Sequence, residues 1–204
     1  FGGAVNGRQA GALAEIGCTS FFPAKPLGCY GDGGALFTND DNLAALFRSI
    51  RVHGRGTHKY ENVRLGITGR LDTLQAAVLI PKLAIFPDEL KSRQRVAATY
   101  EKLISSSKLD LITPKVPKGY FSAWAQYSIL AQDQAERQKL LDKLKVADVP
   151  TMIYYTKPLH LQKALSHLGY MMGDFPVSEH ASERIFSLPM HPYLDENTIS
   201  GIVE

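Results

Sequence analysis

Cysteine is scarce. The 204 residues hold two, Cys18 and Cys29, with neither metal-ligand spacing nor the density of a secreted disulfide scaffold. They read as buried thiols in a reducing cytoplasm. No apolar run reaches the roughly 18 residues a membrane helix needs, and no signal-peptide pattern opens the chain. There is no basic block either. The 23 Lys and Arg and 20 Asp and Glu are interspersed, for a net charge of +3, which makes nucleic acid a poor partner. No internal repeat or low-complexity tract is visible. What is present is an ordinary globular balance, 45% hydrophobic and 21% charged, which excludes a disordered or fibrous chain. The length suits one or two domains.

The chain opens at Phe1 on a Gly-rich stretch, FGGAVNGRQAG, and stops inside ENTISGIVE, where a helix is beginning. Both ends read as those of a piece of a longer protein. Gly33–Thr38 reads as a short buried strand closed by the turn residues Asn39-Asp40-Asp41. Asp40 or Asp41 then caps a helix with Leu43, Leu46, Phe47 and Ile50 on one face. The polar loop HGRGTHKYEN from His53 is long for a plain connection, which marks it as mobile or functional. Asp72 caps a second helix that Pro81 kinks or ends, and a third runs from Pro87 towards Ile104. A composition shift at Ser105-Ser106-Ser107 places a domain boundary near residue 105. Beyond it, strands at Ala125–Ala131 and Pro150–Tyr155 flank an amphipathic helix at Gln134–Val146, a β-α-β pattern. Short helices follow near Leu159–Leu168 and Ser178–Ile185, then an irregular segment from Ser187 to Leu194.

Candidate chemistry is densest in CTSFFPAKPLGCYGD, Cys18 to Asp32. Lys25 sits between Pro23 and Pro26, behind Phe21 and Phe22. Desolvation in such a setting lowers a lysine's pKa and frees a nucleophilic amine; the plain alternative is an exposed loop lysine. The Ser20 hydroxyl can bind a phosphate with help from Thr19, or be an ordinary turn hydroxyl. Gly28, Gly31, Gly33 and Gly34 can cradle phosphate, but they lack the P-loop order and read first as tight-turn residues. Arg70 stands at a loop-to-helix junction, where it can clamp a carboxylate or phosphate or simply pair with Asp72. Tyr154 and Tyr155 end a predicted strand, as binding residues or as core. His160 and His191 have no metal-type partner at helical spacing, so no metal is expected.

The run SFFPAKPLGCYGDGGALFTND resembles the core motif of the DegT/StrS-type sugar aminotransferases, and the resemblance continues through RLDTLQAAVLIPKL to SLPMHPYL. It implies an α/β architecture of pyridoxal-phosphate fold type I, the aspartate-aminotransferase fold. Residues 1–105 would be the C-terminal part of the cofactor-binding large domain and 106–204 a small C-terminal α/β domain. The members most alike aminate C3 of a UDP-linked 3-keto-N-acetylglucosaminuronic acid, with glutamate as donor, for lipopolysaccharide O-antigen. The resemblance makes Lys25 the pyridoxal phosphate lysine, Ser20 the cofactor-phosphate hydroxyl and Arg70 a carboxylate-binding arginine of the substrate site. Tyr155 falls at the sugar-nucleotide site. Three positions depart from the family pattern. Thr68 falls where many members carry an Asn that reaches the partner subunit's cofactor phosphate, Ala24 where relatives often have Ser, and Tyr154 where one close type has His.

The resemblance also implies a cytoplasmic homodimer with shared sites. It places the acid that pairs with the pyridine nitrogen, and the residue that stacks on the ring, upstream of Phe1. Three other readings remain at this point. A 4-keto-6-deoxy nucleotide sugar can replace the uronic acid as acceptor. A dehydratase on the same scaffold typically carries His in place of the lysine, which Lys25 opposes. A non-catalytic nucleotide-binding module would use the Gly28–Gly34 loop.

Overall fold

A computed structural model describes all residues, 1–204. The chain forms two compact units. The first comprises residues 1–90 and 116–123, the second residues 91–115 and 124–204.

The first unit begins with a β-hairpin, β1 (Ala4–Val5) and β2 (Arg8–Gln9), with β5 (Tyr120–Phe121) antiparallel on the other edge of β1. Asn6 and Gly7 make the two-residue turn at φ of 48° and 79°. This is the Asn-Gly pair that matches the twist of a tight hairpin. The sequence signal was present inside FGGAVNGRQAG, read above only as Gly-rich. A second hairpin pairs β3 (Gly17–Ser20) with β4 (Gly34–Phe37), in register from Gly17↔Phe37 to Ser20↔Gly34. Helix α1 (Asp41–Ile50) follows. Its cap is Asp40, whose carboxylate accepts from the N–H groups of Asn42 at 2.7 Å and Leu43 at 3.1 Å.

The long loop after α1 is ordered. Ile67 N–H donates to Ile50 C=O, His53 N–H to Ile67 C=O and Gly69 N–H to Arg51 C=O. The Asn62 side chain caps the His53 carbonyl, and Arg64 donates to the Ser49 hydroxyl. The return strand of the loop is thereby fixed against the end of α1, and Tyr60 and Leu65 stand exposed.

Helix α2 (Thr73–Ser106) is one element, not two. Pro81, the expected kink or stop, and Pro87, the expected start of a third helix, both lie within it. Each proline deprives the carbonyl four residues earlier of its partner. Those residues, Ala77 and Leu83, are exposed, so water can take the bond. Leu79 and Phe86 are buried in the core of the first unit, and that packing outweighs the local cost. The first unit takes α2 up to Leu90 and the second takes it from Lys91. The serine run at 105–107 thus marks where the helix stops, and the change of packing unit comes earlier, inside the helix.

In the second unit, α2 supplies Val96, Ala97, Tyr100 and Ile104 to a core shared with β6 (Tyr127–Leu130) and β7 (Ile185–Leu188). Tyr100 stacks on Tyr127 at 4.9 Å and its hydroxyl donates to Pro189 C=O, while burial pushes its phenol well above the ordinary range. Helix α3 (Gln134–Val146) follows β6, capped by Asp133. The β-α-β expectation fails here, because β6 pairs antiparallel with β7. Of the expected strand Pro150–Tyr155, Met152 alone joins, by one bridge to Ser187, and Ile112 makes a like bridge to Leu130. Pro150 has no N–H to extend that pairing. Ser187 and Leu188, expected to be irregular, belong to β7. Short 3-10 turns at Leu159–Leu161 and Lys163–Leu168, then α4 (Pro176–Arg184) and α5 (Glu196–Val203), complete the unit.

His160, a lone histidine in the sequence, has a partner 19 residues on: its Nε2 lies 2.8 Å from Glu179 Oε1. Glu179 also accepts from Gly173 N–H at 2.9 Å and Phe175 N–H at 3.2 Å, and the His160 ring lies against Phe175. One carboxylate on α4 therefore ties down the segment before it. Burial acts to raise the Glu179 pKa, but the bonds from Gly173, Phe175 and His160 prevail and hold it below the ordinary 4.5. A lowered folded-state pKa gives stability that is present above 4.5 and lost as pH falls through the depressed value. The melting-temperature gap between wild type and Glu179→Gln should be widest above that pH and shrink on acidification. A gap that stays constant with pH would contradict this assignment.

Candidate functional site

Residues 21–33 leave the β3–β4 hairpin and return to it, carrying Lys25 between. Phe21 closes the excursion at both ends. Its N–H donates to Gly33 C=O, and its C=O accepts from Cys29 N–H, both at 2.8 Å. The Cys29 thiol adds a contact at 3.0 Å to the same carbonyl. Within the loop, Lys25 N–H donates to Phe22 C=O at 2.8 Å, which makes Phe22–Lys25 a β-turn with Pro23 at its second position. Proline there fixes φ in advance, and Pro26 disfavours a helical backbone at Lys25. The two prolines that flagged the lysine are thus the devices that shape its backbone. A Cβ on Gly28 would meet the carbonyl oxygens of Phe22 and Pro23 at 2.7 Å, so a side chain there collides with the turn.

The floor of the turn is helix α2. Phe21, Leu27 and Cys29 pack with Leu79 and Phe86 as one buried cluster, with Leu71, Leu90 and Ala35 against it. Two polar side chains on the same helix face complete the attachment. Gln75 Oε1 accepts from Tyr30 N–H at 2.8 Å. Lys82 Nζ donates to the Gly28 carbonyl at 2.6 Å and lies 4.8 Å above the Tyr30 ring. Nothing in the sequence singled out Gln75 or Lys82. Their spacing with Leu79 and Phe86, steps of four, three and four, was the available signal.

Lys25 itself is exposed. The desolvation suggested by its proline- and aromatic-flanked setting is not supplied by this chain's own packing, since Phe22 points outward at 51% exposure. Ala24 is exposed at the third position of the turn. Ser20, at the exposed end of β3, accepts from Phe22 N–H at 3.1 Å, which leaves its hydroxyl proton free to donate. Gly33 and Gly34 serve close packing: a Cβ would meet Leu71 at 2.9 Å from Gly33 and the Thr19 carbonyl at 2.8 Å from Gly34.

A cavity of about 1200 Å³ in the same unit is lined by Thr19, Asp32, Phe37, Arg51 and Arg70 among others, but not by Lys25 or Ser20. Arg70 is exposed and makes no salt bridge with Asp72. Thr68 bridges to Val52 through the backbone and its side chain is exposed. Tyr154 and Tyr155 belong to the other unit. Their rings meet edge to face at 5.6 Å, Tyr154 half-buried and Tyr155 exposed. Cys29 is buried as expected; Cys18 is exposed, because β3 alternates and turns it outward, and both thiols are free.

The model of the DegT/DnrJ/EryC1/StrS aminotransferase family matches residues 1–204. The chain belongs to that family. It is 44% identical over 202 residues to the UDP-2-acetamido-2-deoxy-3-oxo-D-glucuronate aminotransferase of Pseudomonas aeruginosa, covering 99% of this chain and 54% of that protein. It is 38% identical to a UDP-N-acetyl-3-dehydro-alpha-D-glucosamine 3-aminotransferase of Acidithiobacillus ferrooxidans, with coverages of 98% and 52%. The crystal structure of a DegT DnrJ EryC1 StrS aminotransferase from Brucella abortus superposes with a TM-score of 0.92 at 49% identity, over 98% of this chain and 52% of that one. The fold is therefore that of the family's pyridoxal-phosphate fold type I enzymes, as the resemblance implied. The chain spans about half the length of the curated relatives it matches.

Gly28→Ala should lower stability by about 1–3 kcal/mol, the usual cost of forcing atoms into filled space, read as a lower denaturant midpoint at unchanged slope. An unchanged midpoint would mean that the turn does not need the close approach.

Proposed function

We propose that the protein is a pyridoxal-phosphate-dependent aminotransferase. It moves an amino group from glutamate to a UDP-linked 3-keto-N-acetylglucosaminuronic acid, a step towards lipopolysaccharide O-antigen. The observation that carries this reading is Lys25, exposed on a turn that two prolines and helix α2 hold in place, in a chain 44% identical to an aminotransferase named for that type of sugar. The residues present suit the cofactor. Lys25 offers an amine to an aldehyde, and Ser20 keeps an O–H to donate to a phosphate.

Pyridoxal phosphate, when bound, supplies the electron sink that makes the donor's Cα–H acidic. Lys25 holds the cofactor covalently through its amine. Released from that bond, the same amine would take the proton from the donor's Cα and return it to C4′ of the cofactor, as base and then as acid, and in the second half-reaction it would carry a proton the opposite way, from C4′ to C3 of the sugar. Ser20 Oγ donates to the cofactor phosphate. The Arg70 fork binds a carboxylate, that of glutamate in one half-reaction and that of the uronic acid in the other. Tyr154, Tyr155 and Ala24 are assigned to sugar binding by the family pattern. The family fold implies a homodimer with shared sites, in which Thr68, on the ordered loop beyond α1, would donate its hydroxyl to the partner subunit's cofactor phosphate. No helix is long and apolar enough to cross a membrane, and the two free thiols suit a reducing cytoplasm. The relative from Acidithiobacillus ferrooxidans, named for an uncharged 3-keto sugar, supports a second reading in which the acceptor carries no carboxylate.

The two readings differ in what Arg70 meets. The full protein should use the UDP-linked 3-keto uronic acid with kcat/KM about tenfold above its uncharged 3-keto-N-acetylglucosamine counterpart, the scale of one charge-assisted bond. Arg70→Lys should narrow that ratio, because a point charge loses the bidentate fork. Equal use of both sugars by wild type would overturn the uronic acid and leave the uncharged acceptor. No amino transfer to either would overturn the aminotransferase reading.

A further inference from the structure

The attachment of the lysine turn to helix α2 has two parts of different kinds. The apolar cluster of Phe21, Leu27 and Cys29 against Leu79 and Phe86 holds the two ends of the excursion. It does not reach Gly28, which has no side chain, or Tyr30, which is exposed at 76%. There the contact is polar. The Gly28 carbonyl belongs to a buried residue and needs a donor. Lys82 supplies it as a short charge-assisted bond of 2.6 Å. The same ammonium lies 4.8 Å over the Tyr30 ring, and Gln75 receives the Tyr30 N–H at 2.8 Å. Gly28 also lies so close to the carbonyls of Phe22 and Pro23, at the start of the β-turn that ends in Lys25, that a Cβ on it would stand 2.7 Å from each. A shift of Gly28 is therefore passed to the turn by steric contact.

We propose that Lys82, assisted by Gln75, is a positioning residue for Lys25: by fixing Gly28 and Tyr30 it sets where the Lys25 amine stands. This rests on the reading of Lys25 as the pyridoxal phosphate lysine. The effect of Lys82 passes through the backbone from Gly28 to Phe22 and Lys25. Lys82→Met keeps the apolar stem and removes the donor, whereas Lys82→Arg keeps a charged donor at the same place.

The test uses the full protein and two readouts, neither of them turnover. The first is hydrogen exchange of the Lys25 and Cys29 amides, which close the turn. The second is the affinity of the cofactor-free protein for added pyridoxal phosphate, followed by its absorption. In Lys82→Met the two amides should exchange about tenfold faster and the affinity should fall by about tenfold, the scale of one lost bond to a charged donor. Lys82→Arg should restore both. Ile129→Val in the core of the second unit, which lowers overall stability, should leave both at the wild-type value. Wild-type exchange and affinity in Lys82→Met would overturn the proposal, as would equal losses in Ile129→Val, which would reduce Lys82 to a contributor to general stability. A wild-type protein that takes up no pyridoxal phosphate would overturn the cofactor reading of Lys25 and the positioning role with it.

Discussion

The packing of the first half of helix α2 beneath residues 21–30 constrains everything around the candidate site. A loop that leaves a two-stranded hairpin and returns thirteen residues later has no backbone ladder of its own. Its order comes from Phe21, which bonds at both ends of the excursion, and from the helix surface on which Leu27 and Cys29 are buried. The demand for close approach explains the glycines. Gly28 admits the turn carbonyls, and Gly33 admits Leu71 from the start of the helix. It also explains why the helix tolerates two prolines, since its apolar face is committed on both sides of Pro81.

Some of this was legible in the sequence and some was not, for physical reasons. The cap of α1 was legible to within Asp40 or Asp41, because a cap is a local matter of one side chain and the next three N–H groups. The turn at Lys25 was flagged by Pro23 and Pro26, whose effect on φ and on the preceding residue needs no tertiary partner. Long-range pairings left no such mark. Gln75 and Lys82 read as ordinary polar helix residues until the helix is seen to lie under Tyr30 and Gly28. His160 looked solitary because Glu179 is on another element. Pro81 and Pro87 misled because local propensity was weighed without the burial of Leu79 and Phe86.

The β-α-β reading failed for a similar reason. A strand-helix-strand order in sequence does not state which strands pair, and β6 found its partner in β7, beyond the 3-10 turns and α4. The surroundings of the candidate residues differ from what the sequence suggested. Lys25, Ser20, Ala24, Thr68 and Arg70 lie in the first unit and Tyr154 and Tyr155 in the second. Ser20 ends strand β3, and Ala24, Lys25 and Thr68 stand on loops whose backbones are fixed by identifiable bonds. Their exposure contrasts with the desolvated lysine that the local composition suggested.

The central claim is that this held turn presents Lys25, and no other lysine, to pyridoxal phosphate. Borohydride reduction of the full protein loaded with pyridoxal phosphate, followed by peptide mapping, tests it most directly. The account predicts a stable phosphopyridoxyl adduct on the peptide that carries Lys25, and none on the peptide that carries Lys82. An adduct on another lysine, or on none, would contradict it.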